Sequence, residues 1–196
     1  MRNIRIIFAI LFGLCSCTSR SGSPPAISKI SSNVEIKHVI KGKVIGIIDG
    51  DTYDILINGN TTLRVRMEGI DAPEKGMPFY RVSKDYLLGL CFNQLVSLDS
   101  TGKDDNRILA FSYLEDGREL GQEMLRAGMA WHFKKYNSDS MLAQLEIEAR
   151  NLKKGLWQDD NPMPPWVNKS LHKQGISTKD SFVKVDSNNI HPSLSD

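Results

Sequence analysis

The chain has 196 residues, of which 40% are hydrophobic and 24% are charged, and its formal net charge is +2. This length suits one well-packed domain with additional segments and is short for two domains. The near balance of charge excludes a protein that binds nucleic acid through overall basicity, so any anion binding must depend on a local arrangement of side chains.

Residues 1–16 have the features of a signal peptide. Arg2 and Arg5 precede a short apolar run without acidic residues, and this run is too short to span a bilayer. It ends in Leu14-Cys15-Ser16-Cys17, which resembles a bacterial lipobox with Cys17 as the residue that carries the lipid. Two predictions remain open: a cell-envelope lipoprotein anchored to a membrane through Cys17, or a secreted or periplasmic protein. Removal of residues 1–16 leaves 23 basic and 23 acidic residues, so the predicted mature chain is formally neutral.

The rest of the chain divides into three parts by composition. Residues 17–35 are rich in Ser, Gly and Pro and are predicted to form a flexible linker. The folded domain is expected over residues 36–160, followed by a Pro-containing extension over 161–196 whose tail should be poorly ordered beyond about Leu171. Cys91 is the only cysteine outside the lipobox pair, and its apolar helical neighbours predict a buried thiol.

Alternating and helical patterns predict five strands and three helices in the domain. Asn58-Gly59 is a strong signal for a hairpin between the second and third strands. A polar loop is expected over 101–106. The strands are predicted at 39–48, 52–57, 63–67, 95–98 and 108–114, and the helices at 79–92, 119–127 and 140–152. This order of elements is typical of a five-stranded barrel of the oligonucleotide-binding (OB) type, in the α+β class.

Acidic residues are concentrated at the ends of the first and third strands. Asp49 and Asp51 close the first strand, and Asp71 and Glu74 follow the third. Because the first and third strands of an antiparallel meander run in the same direction, these residues should meet at one edge of the sheet. Ionised carboxylates are costly to bury without a partner, so this edge is predicted to hold a cation. Asp49 has two open roles, as a turn former or as support for the metal ligands.

Four segments together resemble the staphylococcal nuclease, or thermonuclease, family over about residues 36–160. These are Ile48-Asp-Gly-Asp-Thr52, Val65-Arg-Met-Glu-Gly-Ile-Asp-Ala-Pro-Glu74, Arg107-Ile-Leu-Ala-Phe111 and Ala127-Gly-Met-Ala130. The resemblance implies a Ca²⁺-dependent phosphodiesterase that cleaves DNA and RNA and leaves 3′-phosphate ends. It implies no obligate protein partner.

The resemblance also implies the metal ligands. Asp51 and Asp71 match the family's carboxylate ligands, and the backbone carbonyl of Ala72 matches a further one. Hard oxygen donors on loops suit Ca²⁺, whose remaining coordination positions waters and the scissile phosphate would fill.

The catalytic groups implied by the resemblance are Glu74, Arg66 and Arg107. Glu74 matches the carboxylate that engages the attacking water, as general base or as orienting group, and both roles remain open. Arg66 and Arg107 match the pair that hold the phosphate. Guanidinium groups suit this role because they stay charged and bind two phosphate oxygens at once.

The resemblance implies nucleotide contacts after the fourth segment, Ala127-Gly-Met-Ala130. Tyr136 is the predicted stacking residue, and Lys134 and Lys135 are predicted to contact phosphates. The chain departs from the family at Asp105-Asn106, where relatives often have Tyr-Gly before the second arginine, and an added acid there should weaken anion binding. It departs again at Trp166-Val-Asn-Lys169, where relatives often have Trp-x-Trp-Arg.

Two alternatives to an enzyme are a non-catalytic OB-fold module that binds nucleic acid or protein, and an envelope lipoprotein with a scaffolding role. A barrel that has lost its activity should lack part of the catalytic set. All five residues are present: Asp51, Arg66, Asp71, Glu74 and Arg107. The sequence therefore favours the enzyme.

Overall fold

A computed structural model describes residues 39–178. The predicted signal peptide, the lipid site at Cys17, the linker and the end of the tail after Thr178 lie outside the described residues. Strands occur in the order β1 (Ile40–Ile47), β2 (Thr52–Ile57), β3 (Thr61–Met67), β4 (Ile70–Asp71), β5 (Leu95–Asp104), β6 (Arg107–Leu114) and β7 (Trp131–His132). The α-helices are α1 (Tyr80–Cys91), α2 (Leu120–Arg126), α3 (Ser140–Asn151) and α4 (Pro165–Lys173), and a 3₁₀ turn covers Gly155–Gln158.

The five long strands close into a barrel in the order β1-β2-β3-β6-β5. The β1-β2-β3 meander is antiparallel, as the hairpin signal predicts. Closure requires β3 to pair in parallel with β6, with Arg64 opposite Arg107, and β5 to pair with β1. The predicted OB-type barrel in the α+β class is therefore confirmed. The two short strands β4 and β7 pair separately beside it.

The barrel interior is filled by the inward-facing residues of the alternating strands. Val44, Ile55, Val65, Leu98 and Ala110 are fully buried. Burial of each large aliphatic side chain contributes about 1.5–3 kcal/mol relative to an exposed position. Because these residues alternate with polar ones, the apolar pattern also sets the register of each strand.

Two details differ from the sequence predictions. The polar segment predicted as a loop over 101–106 is mostly strand, because β5 continues to Asp104 and only Asp105 and Asn106 form the turn. Asp105 adopts a positive φ of 52° there. The polar composition of 101–106 indicated a loop, but these residues lie at the exposed end of the hairpin, where strand residues need no apolar partner. The apolar pattern of the predicted helix 79–92 places Val82 on its buried face, but in α1 Val82 is half exposed and Ser83 is buried instead.

Helix α4 adds a fourth helix to the predicted three and forms part of the folded structure. Trp166 stacks on Phe133 with ring centroids 5.3 Å apart and planes 15° apart. Asn168 is buried and accepts a hydrogen bond from the hydroxyl of Thr178, which is also buried. The described residues extend beyond Leu171 to Thr178, and the poor order expected for the tail stays a prediction. No helix within residues 39–178 is both long and apolar enough to cross a membrane.

Candidate active site

The turn between β1 and β2 brings Asp51 close to the segment that follows β3. Its backbone carbonyl accepts a hydrogen bond from the amide of Met67 at 2.8 Å. Gly50 makes the close approach possible, because a Cβ atom there would lie 1.9 Å from Oγ of Ser83 and 2.8 Å from Cβ of Ala72. Asp49 accepts a hydrogen bond from the amide of Asp51 at 3.1 Å, so it stabilises the turn itself.

Asp51 and Asp71 meet at this edge of the barrel, as the meander predicts. Oδ2 of Asp51 accepts the amide N–H of Ala72 at 2.7 Å, which ties the two loops together. The guanidinium of Arg66 donates to Oδ1 of Asp71 at 2.9 Å and lies 3.2 Å from Oδ2 of Asp51. Its other terminal nitrogen donates to the carbonyls of Met67 and Ile70. Arg66 thus holds the two carboxylates and the intervening backbone in one arrangement.

Burial makes it costly to charge the carboxylates of this cluster. It raises the pKa of Asp49 to about 7, with a further contribution from the charge of Asp51. Burial followed by the charge of Asp51 also raises the pKa of Asp71 to about 6. The charge of Asp51 therefore opposes ionisation of Asp49 and Asp71, and a cation at this edge would stabilise the charged forms of both.

The donor set fits a hard cation with few protein ligands. Oδ2 of Asp71 is buried and accepts no hydrogen bond from the described part of the chain. Together with Asp51 and the backbone at Ala72, which line the same cavity, it provides oxygen donors of the kind that Ca²⁺ prefers. No cluster of three or more His, Cys, Asp or Glu side chains suited to a metal occurs in residues 39–178.

Glu74 faces the same cavity and has a partner that the sequence analysis did not assign. The ammonium of Lys169 on α4 lies 2.8 Å from Oε1 of Glu74 and 3.8 Å from Oδ1 of Asp71. Burial acts to lower the pKa of Lys169, but the hydrogen bond to Glu74 and the negative charges of Asp71, Glu74 and Asp51 together outweigh burial and raise this pKa. Lys169 was noted in the sequence as part of the departure Trp166-Val-Asn-Lys169, but no local pattern linked this lysine to Glu74.

Arg107 lies at the start of β6 and lines the cavity of about 160 Å³ that also contains Asp51, Asp71 and Glu74. It forms an ion pair with Asp104, the last residue of β5. The acid beside this arginine is therefore Asp104, whereas Asp105, which was expected to weaken anion binding, is exposed in the hairpin turn. The structure brings together all six residues predicted as catalytic or metal-binding.

The predicted nucleotide contacts lie next to this cavity. Tyr136 is 67% exposed and borders a cavity of about 420 Å³ that Arg66 and Asp104 also line. Lys135 lies over its ring, with Nζ 5.3 Å from the centroid. Lys134 forms an ion pair with Glu146 at 2.7 Å. An exposed aromatic ring with adjacent lysines suits stacking on a base and contact with its phosphates.

One edge of this OB-type barrel carries paired carboxylates, two arginines and a glutamate. These groups have the chemistry to bind a phosphate beside a cation. The model of the staphylococcal nuclease homologue family matches residues 64–159. The chain belongs to this family.

Three curated relatives are similar to most of the domain. An uncharacterized endonuclease of Escherichia coli is 40% identical over 129 residues, which cover 65% of this chain and 84% of the relative. An uncharacterized endonuclease of Haemophilus influenzae is 40% identical over 124 residues, covering 63% and 69%. A micrococcal nuclease of Shigella flexneri is 36% identical over 137 residues, covering 64% and 78%.

Proposed function

We propose that the protein is a Ca²⁺-dependent nuclease that hydrolyses phosphodiester bonds of DNA and RNA and leaves 3′-phosphate ends. The observation that carries this proposal is the convergence of Asp51, Asp71, Glu74 and Arg107 on one cavity around Arg66. These residues come from the first turn, the segment after β3 and the start of β6. The names of the relatives, endonuclease and micrococcal nuclease, support the same activity.

In this proposal, Asp51, Asp71 and the carbonyl of Ala72 hold the calcium ion. When bound, Ca²⁺ supplies positive charge next to a phosphate oxygen. The buried, hydrogen-bonded setting of the two carboxylates keeps their geometry fixed, because Arg66 and the amide of Ala72 hold them from the protein side.

Glu74 engages the attacking water, either by accepting its proton or by orienting it toward phosphorus. The bond from phosphorus to the 5′ oxygen breaks, so the phosphate stays on the 3′ oxygen. Arg66 and Arg107 stabilise the charge that builds on the phosphate oxygens in the transition state. Lys169 keeps the carboxylate of Glu74 at the cavity through a charge-assisted hydrogen bond.

The proposal is tested with purified protein covering Ser21 to Asp196, incubated with DNA or RNA in the presence of Ca²⁺ or a chelator. We expect cleavage only with Ca²⁺, and end-group analysis should find 3′-phosphates. Arg66→Ala is the matched inactive control. Absence of cleavage under every metal condition, with nucleic-acid binding retained, would instead identify a non-catalytic binding module.

Export to the cell envelope is proposed on the sequence alone, with lipid attached to Cys17 and the nuclease domain tethered to the membrane by residues 17–35. Mass analysis of the mature N-terminus distinguishes the two forms. A diacylated or triacylated Cys17 is expected. An unmodified N-terminus would indicate a secreted or periplasmic protein.

A further inference from the structure

A large cleft lies between the 132–136 segment, α3 and α4. Its volume is about 800 Å³. Residues from all three parts line it, among them Lys135, Arg150, Trp166 and Lys173. The predicted nucleotide contacts Lys134, Lys135 and Tyr136 form one side of the cleft, and α4 provides another.

The cleft concentrates positive charge on a chain whose formal net charge is only +2. Its lining includes five lysine or arginine residues and one acid, Glu146. Glu146 is 1% exposed and forms ion pairs with Lys134 and Arg150, so its charge is already compensated. Lys173 is exposed and has no salt bridge to any of residues 39–178. With the charge of Glu146 compensated, the surface of the cleft is basic and suited to a polyanion.

Phe133 connects this cleft to the catalytic centre. It borders the catalytic cavity of about 160 Å³, the 420 Å³ cavity beside Tyr136 and the 800 Å³ cleft. Its ring contacts Tyr136 edge-on at 4.8 Å and stacks on Trp166. Lys169 likewise lines both the catalytic cavity and the cleft. The three cavities therefore adjoin one another at Phe133.

A scissile phosphodiester has a nucleoside on each side, so a catalytic centre that cuts within a strand needs space in two directions. The 420 Å³ cavity provides one of them. We propose that the α4 cleft provides the other and binds the single-stranded polynucleotide that continues beyond the scissile phosphate. Lys135 and Lys173 contact its phosphates, and the Phe133, Tyr136 and Trp166 cluster provides an apolar wall for its bases. This inference rests on the proposed nuclease function and extends it to the part of the strand beyond the scissile phosphate.

The test compares two charge reversals of equal size. Lys173→Glu places an acid in the cleft, whereas Lys43→Glu makes the same charge change on the exposed side of β1, outside all three cavities. Binding of a fluorescent single strand of about twelve nucleotides is measured by anisotropy in chelator, with a labelled mononucleotide as the short probe. Chelator separates binding from cleavage.

We expect Lys173→Glu to weaken binding of the strand about tenfold, as one phosphate contact becomes a repulsion, and Lys43→Glu to change it less than about twofold. Binding of the mononucleotide should change little in both variants. In Lys173→Gln, the slope of log K against log salt should become shallower by about 0.7, the value for one phosphate contact on a single strand.

Equal losses in Lys173→Glu and Lys43→Glu would overturn the cleft proposal, as would a loss of the same size for the mononucleotide. Tighter binding of a polyglutamate peptide than of the strand would also overturn it. These results leave the nuclease proposal standing if cleavage is observed. Conversely, a strand that binds through Lys173 but is never cleaved would support the cleft and refute the nuclease activity.

Discussion

The turn that carries Asp51 packs against α1 with no space for a side chain at Gly50. In Gly50→Ala, the new Cβ would lie 1.9 Å from Oγ of Ser83 and 2.8 Å from Cβ of Ala72, so at least one neighbour must move. The Ser83 hydroxyl donates to the carbonyl of Met129 at 2.8 Å, and moving it breaks that bond. Overpacking costs about 1–3 kcal/mol and the lost hydrogen bond about 1 kcal/mol. We therefore expect Gly50→Ala to lower the free energy of unfolding by about 2–4 kcal/mol.

A double-mutant cycle isolates the contact with Ser83. Ser83→Ala alone should cost about 1–2 kcal/mol because the carbonyl of Met129 loses its donor. In the double variant the 1.9 Å contact no longer exists, so its destabilisation should be smaller than the sum of the single effects by about 1–2 kcal/mol. Urea unfolding measures all four proteins. Gly89→Ala is the matched control, since a Cβ at that helical position meets nothing within 4 Å and should be neutral or stabilising by up to about 1 kcal/mol.

Strict additivity of Gly50→Ala and Ser83→Ala would refute this account of the turn. So would a Gly50→Ala variant within about 0.5 kcal/mol of the parent protein, the range of ordinary surface substitutions.

The remaining predictions concern the site and the core. Glu74→Gln should lower turnover by orders of magnitude with an unchanged unfolding midpoint, and near-normal turnover would remove Glu74 from its assigned role. Asp51→Ala should raise the Ca²⁺ concentration needed for half-maximal activity, and an unchanged calcium titration would rule it out as a ligand. Lys169→Met removes a positive charge beside the carboxylates, so calorimetry should find several-fold tighter Ca²⁺ binding, with Lys169→Arg close to the parent. Weaker binding in Lys169→Met would contradict this reasoning. Burial raises the pKa of the Cys91 thiol to about 12, so a thiol reagent should label it only after unfolding; rapid labelling of the native protein would contradict its burial.

The barrel was predictable because its determinants are local. Strand alternation marks the buried faces, and Asn58-Gly59 sets the hairpin between β2 and β3. The antiparallel meander and the meeting of Asp51 with Asp71 therefore follow from the order of the elements. The burial of Cys91 follows from its apolar neighbours in α1. The end of the β5–β6 hairpin was mispredicted because residues 101–106 have no buried side chain from which an apolar pattern could arise.

By itself, the amino-acid sequence determined the fold class, the family and the set of acidic and basic residues proposed for catalysis, because these depend on motifs and on the order of neighbouring strands. Only the tertiary structure decided that Lys169 pairs with Glu74, that Asp104 pairs with Arg107 and that α4 forms a basic cleft beside the site. These contacts depend on how α4 docks through Trp166 on Phe133 and on how far β5 extends. Docking and strand length are set by packing between distant segments, which leaves no periodic signal along the chain.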